Sequence, residues 1–205
     1  MIEFHAWQTS NCQRVAIMLE ECGLPYRVHK VDLFKGEQND PAFLQINPAG
    51  AVPAIIDADG PGGLSLTLTE SGAIDLYLAE KAGKFLPREP AQRAQTLQWL
   101  MFALTDCAPA SMSMFLLSMM APEKSPANVG FFEQRLLRFF RVADEQLAGR
   151  DWLAGELSVA DFALYPIYAA RKAIADAAGD LHHLTRWGAA LAARPGVVKA
   201  MQAAA

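Results

Sequence analysis

Cysteine is scarce in this 205-residue chain, with three residues at Cys12, Cys22 and Cys107. The number is odd, and no two stand at a Cys-x-x-Cys or zinc-ligand spacing, so neither a disulfide framework, a dithiol redox centre nor a metal site is indicated. Basic residues are outnumbered, 18 Lys+Arg against 22 Asp+Glu for a net charge of -4. Such a surface holds no general attraction for phosphate backbones or anionic lipid, which argues against a nucleic-acid partner. No uninterrupted apolar run approaches the roughly 20 residues of a membrane span. Met1 leads into Ile2, Glu3, Phe4 and His5, without the basic, apolar and small-residue order of a signal peptide. The expectation is a cytoplasmic protein, off the membrane, with its thiols reduced.

What is present suffices for a substantial core: 52% of the residues are hydrophobic and 20% charged, as in ordinary globular proteins. The first 83 residues alternate in character. Met1 to Trp7 reads as a strand, and Asn11 to Cys22 as a helix with Cys12, Val15, Ala16, Leu19 and Cys22 on one face. Gly23 and Pro25 end it. Tyr26 to Asp32 reads as a second strand, parallel to the first through a right-handed crossover. A polar loop with a helical turn covers Phe34 to Gln45. Two short strands follow, Ala51 to Ile56 and Leu64 to Leu68, joined by a Gly- and Asp-rich hairpin. Glu70 to Ala82 is a helix with Ala73, Ile74, Tyr77, Leu78 and Lys81 at helical spacing. After a Pro-containing linker the periodicity becomes wholly helical, over Ala91 to Met120, Asn128 to Ala148, Val159 to Ala178 and Leu181 to Ala193. The reading is two domains, 1–83 of α/β type and 90–205 all-α.

Four stretches bear on chemistry. In "NPAGAVPAI", Pro53 precedes a strand, where proline belongs because it cannot donate to a ladder. Either the Val52–Pro53 bond is cis, with the N–H and C=O of Val52 facing outward to hold an extended peptide, or Pro53 is an ordinary turn proline. Glu70 and Ser71 open the third helix, whose free N–H groups suit a carboxylate while Glu70 suits an ammonium; a plain helix cap is the competing role. Ser158-Val-Ala-Asp161 is a capping box, with Trp152 and Leu153 packing beside it and Tyr165 and Tyr168 inside. The residues Phe102, Met112, Met114, Phe115, Met119 and Met120 line an adaptable apolar pocket or pack a core.

The element order β-α-β-α-β-β-α followed by a helical domain, together with "NPAGAVPAI", "LTESGAIDLYLAEK" and "LSVADF", resembles the cytosolic glutathione transferases from end to end. "KVDLFKGEQNDPAFLQINP" and "TLQWLMF" are most similar to the bacterial Nu-class group, whose members act as glutathione-dependent disulfide reductases and peroxidases. The resemblance implies a thioredoxin-like N-terminal domain with an all-α C-terminal domain, a cis Pro53, a homodimer, and glutathione as co-substrate without a metal. It assigns glutathione to Gln38, Val52, Pro53, Glu70 and Ser71, with Lys35 a candidate for the glycyl carboxylate. Arg135 and Arg138 are candidates for the same ligand or ordinary surface arginines. Phe102, Met112 and Phe115 fall to the electrophile pocket of the helical domain.

The stretch "TSNCQRV" opens the first helix. A glutathione sulfur held beside Val52 would lie there and must stay ionised near neutral pH, against about 8.5 for a free thiol. Hydroxyl and amide donors at a helix N-terminus favour the thiolate. Thr9, Ser10 and Asn11 are such donors, and the Nu-class likeness singles out Thr9 and Asn11. Cys12 falls on the buried face. The function read from the sequence is attack of the glutathione thiolate on a disulfide or organic hydroperoxide. Conjugation or dehalogenation of a small electrophile is the alternative, and a non-catalytic ligand-binding protein of the same fold is the alternative from outside enzymes.

Overall fold

The structure is a computed structural model that describes residues 1–203. Its contacts divide the chain into two compact units, Met1–Lys84 together with the chain from Ala193 onward, and Phe85–Ala192.

The first unit is built on a four-stranded sheet of order β2-β1-β3-β4, from β1 (Ile2–Ala6), β2 (Tyr26–Lys30), β3 (Ala54–Asp57) and β4 (Leu66–Thr69). β1 and β2 are parallel because α1 (Ser10–Cys22) carries the chain back over the sheet, whereas β3 is antiparallel to both β1 and β4. Gly23 stops α1 in a left-handed conformation, φ 72°, that costs an L side chain energy. The apolar face of α1 is fully buried, from Cys12 through Leu19, with Phe4, Ile55, Ile74 and Leu78 in the same core. The loop after β2 holds a 3₁₀ turn at Glu37–Asn39 and the short α2 (Pro41–Leu44).

In α3 (Ser71–Ala82) the buried face is not the one its apolar spacing suggested. Ser71, Ile74, Asp75, Leu78 and Ala79 are buried, while Ala73 and Lys81 are exposed. Tyr77 and Lys81 turn to Asp57 at the end of β3: Tyr77 Oη donates to its carboxylate at 2.6 Å and Lys81 Nζ lies 2.9 Å away. The helix is thus rotated so that a carboxyl, Asp75, enters the core.

The reading of 90–205 as one helical domain differs from the structure at its end. The Ala-rich tail forms α10 (Pro195–Ala203), which packs on α1. Arg194 forks onto the Glu21 carboxylate at 2.9 and 2.5 Å, and Lys199 pairs with Glu20 at 2.9 Å.

The second unit begins with α4 (Pro90–Met101) and runs without a break through a π-helical turn (Phe102–Cys107), α5 (Ala108–Phe115) and a second π-turn (Leu116–Met120). By length and composition this 31-residue helix is long and apolar enough to cross a membrane, with mean hydropathy 1.5 over 18 residues, although its apolar run is not uninterrupted. Thr105, Asp106, Ser111 and Ser113 break its apolar run without lowering the average below that level. Its Leu100, Ala103, Cys107, Ala110 and Met114 are buried, and it packs on α6 (Pro126–Gln146) and α7 (Val159–Ala170).

Helix α7 is buried from Val159 to Tyr168, as a central helix must be when it is apolar on all sides. Asp161 caps its start by accepting from the Ser158 N–H. Arg171 separates α7 from α8 (Lys172–Ala178), and α9 (His182–Ala192) closes the unit. α9 approaches α7 through Gly188, where an added Cβ would penetrate the Tyr168 ring, 2.8 Å from its Cζ. Gly188→Ala should therefore destabilise the protein by about 1–3 kcal/mol. A urea midpoint matching that of the parent would show that the helices have room to part.

Candidate functional site

Strand register brings three of the predicted stretches of the first unit to one end of the sheet. His5 of β1 pairs with Ala54, and Ala54 pairs with Thr69. One step beyond the ladder, the end of β1, the Val52–Pro53 segment and the Glu70–Ser71 helix start therefore lie side by side. In antiparallel pairs such neighbours are about 5 Å apart.

Thr9 follows β1 and is the N-cap of α1, in an extended conformation. Its Oγ1 accepts the Cys12 N–H at 3.1 Å. A hydroxyl that accepts keeps its hydrogen to donate, and the neighbouring Cys12 thiol is one group within its reach. Ser10 and Asn11 form the first turn and are half-buried. The Asn11 side chain has no hydrogen-bond partner among the described residues. Cys12 is fully buried, and its Sγ accepts the Trp7 N–H at 3.4 Å.

The Val52–Pro53 bond is cis, the first of the two readings of Pro53. Among the described residues, neither the N–H nor the C=O of Val52 pairs with another backbone group. Gln38 belongs to the same corner: a Cβ on Gly50 would stand 3.2 Å from the Gln38 carbonyl, and the buried Gln38 Oε1 has no partner among the described residues. Lys35 is exposed and sits 3.3 Å from Asp32. Glu70 occupies the N-cap of α3 at φ 66° without capping it through its side chain, which leaves its carboxylate exposed to solvent. Only a few per cent of non-glycine residues take such a φ, and they concentrate at binding sites. Ser71 is 7% exposed, and its Oγ accepts from Arg14 Nη1 at 3.2 Å.

Three groups important here were not singled out in the sequence: Arg14, Asp75 and Trp7. A signal existed for Asp75, because it stands four residues after Ser71 and three before Leu78, on the stripe that meets α1. A carboxyl placed there points to a polar neighbour in the core, and the buried Arg14 is the charged group that acts on it, without a hydrogen bond between them.

The remaining candidates belong to the helical unit. Phe102 is half-buried between Trp99 and Phe139, edge-on to both rings at 5.1 and 5.8 Å. Met112 and Phe115 are 46% and 41% exposed. Arg135 and Arg138 both lie over the Phe139 ring, at 5.2 and 5.4 Å, which gives them a local cation–π role. A polar cavity of about 290 Å³ between Gln98, Trp99, Gln146 and Arg150 contains none of the predicted residues. Among the described residues, no group of three or more His, Cys, Asp or Glu side chains could hold a metal.

The chain's own thiols are poor nucleophiles. Burial pushes all three upward, Cys22 to about 11, and all three are free but enclosed. A thiol reagent added to the native protein should label none of them until denaturant is added; rapid labelling of Cys12 would make it a candidate nucleophile.

The edge thus defines a class of site: a helix start with hydroxyl and amide donors, a strand-like backbone edge, and a second helix start with a buried cation behind it. Such an edge can pair with extended backbone and receive an anion at a helix start. Residues 9–81 match the N-terminal domain of glutathione S-transferases and residues 107–195 match their C-terminal domain. The chain is 40% identical over 168 residues to the disulfide-bond oxidoreductase YfcG of Escherichia coli, covering 81% of this chain and 78% of that one. To YghU of the same organism, also a disulfide-bond oxidoreductase, it is 34% identical, over 96% and 72% of the two chains. A glutathione transferase of Pseudomonas putida, solved with one glutathione disulfide per subunit, superposes with TM-score 0.90 at 36% identity, covering 98% of this chain and 90% of that one. One from Burkholderia graminis, with two glutathione molecules per subunit, gives 0.91 at 34%, covering 98% and 87%. The chain belongs to the glutathione transferase family of enzymes.

Proposed function

We propose that the protein uses glutathione to reduce disulfides and organic hydroperoxides. What supports this reading is that strand register sets the segment leading into α1, the backbone-unpaired Val52 and the start of α3 beside one another at one end of the sheet. In this reading the cysteinyl backbone of glutathione pairs with Val52 beside Pro53. Its γ-glutamyl end meets Glu70 and Ser71, and Gln38 and Lys35 flank the remainder. The sulfur then falls at the start of α1, where Thr9 and Asn11, with Ser10 beside them, donate to it and favour the thiolate.

The thiolate attacks one sulfur of a disulfide R–S–S–R′, forming G–S–S–R and releasing R′S⁻, which takes up a proton. A second glutathione thiolate attacks the mixed disulfide, giving glutathione disulfide and RS⁻. With a hydroperoxide ROOH, attack on the terminal oxygen gives the sulfenic acid GSOH and ROH, and a second glutathione converts GSOH to glutathione disulfide and water. The two relatives that hold a glutathione disulfide or two glutathione molecules support chemistry with room for both thiols. Phe102, Met112 and Phe115 are the residues proposed to meet the second substrate, as a homodimer in a reducing, cytoplasmic setting.

Turnover of 2-hydroxyethyl disulfide and cumene hydroperoxide, coupled to glutathione reductase, tests this reading. It should exceed conjugation of 1-chloro-2,4-dinitrobenzene. Thioether formation without disulfide or peroxide consumption would replace the redox reading with conjugation. Calorimetry showing no glutathione binding at millimolar concentration would favour a ligand carrier.

A further inference from the structure

Arg14 is 1% exposed, and of its guanidinium only Nη1 has a partner, the Ser71 Oγ at 3.2 Å. Its Nε and Nη2 are buried without one among the described residues. Asp75, one turn after Ser71 on α3, is fully buried, and neither of its carboxyl oxygens is hydrogen-bonded. Buried polar groups are nearly always satisfied, so a cation with two unmet donors behind a helix start calls for an explanation.

A guanidinium can only donate. Its bond to Ser71 therefore fixes the serine oxygen as acceptor and frees the serine hydrogen to point away, toward the mouth of the site. The donor is charged, which polarises the hydroxyl and strengthens it as a donor in turn. The charge also adds to the positive end of α3 in a region where water screens little.

We infer that Arg14 is the positioning residue for the anionic end of the ligand. It holds Ser71 as a donor and stands as a buried positive charge behind it, so that this end of the site selects an α-carboxylate. The inference rests on the glutathione reading and deepens it: the group selected is the carboxylate of the γ-glutamyl residue, reached through Ser71.

Asp75 modulates that charge. Burial drives its carboxyl up to about 8, with Arg14 pulling the other way, so at pH 7 it offsets Arg14 less than an ordinary carboxylate would. Above that range it ionises and offsets the cation. The other titratable groups facing the pair are the buried thiols of Cys12, which acts on Arg14, and Cys22, which Asp75 acts on. Asp57 of β3 is engaged by Tyr77 and Lys81.

The test compares two ligands by calorimetry at pH 7: glutathione, and 4-aminobutanoyl-cysteinyl-glycine, which lacks only the γ-glutamyl α-carboxylate. Arg14→Met should weaken glutathione about tenfold, the size expected for a charge-assisted contact, and leave the analogue within about twofold. Arg14→Lys should recover part of the loss. Equal weakening of both ligands, or of neither, would overturn the inference and reduce Arg14 to a packing residue. Wild-type protein that binds neither ligand would instead overturn the glutathione reading. If Arg14→Met does not fold, Asp75→Asn carries the test with S-methylglutathione, whose thioether does not titrate. Wild-type affinity should fall as pH rises from 7 to 9, and the variant should lose that component of the fall. Identical slopes in the two proteins would count against it.

Discussion

Asp161→Ala should lose on the order of 4 kcal/mol of folding stability, because it strips a buried acceptor from several donors at once. Oδ1 receives the Leu153 N–H at 3.0 Å and the Trp187 indole N–H at 2.9 Å; Oδ2 receives the Ser158 N–H at 3.0 Å and its hydroxyl at 3.1 Å. Burial alone pushes the carboxyl's pKa up, and these donors pull against it. Alanine leaves the Leu153 and Trp187 donors buried with nothing in place of the carboxylate. Since whole domains are stable by only about 5–15 kcal/mol, the variant should sit near the edge of folding at physiological temperature. Urea unfolding followed by tryptophan fluorescence measures it. A loss below about 1 kcal/mol would mean that solvent reaches the donors, and that the site is less enclosed than its burial indicates.

The largest effect on catalysis is expected at Thr9. Removing a single preorganised donor to a developing or bound anion costs enzymes about 10²-fold or more, and Thr9→Ala should lower kcat/KM for disulfide reduction by about that much. The same change removes an N-cap, which costs a further 0.5–2 kcal/mol or so of stability. Thr9→Ser keeps both functions and should retain most of the activity. The readout specific to the sulfur is the pH titration of thiolate absorbance in the glutathione complex, which should shift upward in Thr9→Ala toward the free-thiol value of about 8.5. An unmoved titration would leave Thr9 as a cap and nothing more.

Much of this was legible in the chain before any coordinates. Strand and helix identities in the first unit follow from periodicity, and Gly23 marks the end of α1 where glycine alone takes a left-handed φ without strain. The capping box announced the start of α7 and its buried carboxylate. Burial of Cys12 followed from its place on the face with Val15, Ala16 and Leu19. What the chain concealed were pairings over long separations. That Arg14 meets Ser71, 57 residues away, depends on how α1 and α3 cross, which local pattern does not encode. The rotated face of α3 escaped for the same reason, since Lys81 and Tyr77 are drawn out of the stripe by Asp57 on another element. Trp187 joins Asp161 across 26 residues, whereas Leu153 lies close enough in sequence to have been foreseen. The tail offers little to read because alanine carries little amphipathic signal; Pro195 as a helix-starting residue is its one clear marker.

The return of α10 to α1 has a consequence for biosynthesis. The helical unit is threaded between two pieces of the first unit, so a ribosome completes all of Phe85–Ala192 before it delivers the last helix of the unit that began the chain. Until then the solvent side of α1 stands uncovered, with Glu20 and Glu21 lacking Lys199 and Arg194. The first unit is therefore begun before the helical unit and completed after it, once Pro195–Ala203 has been made.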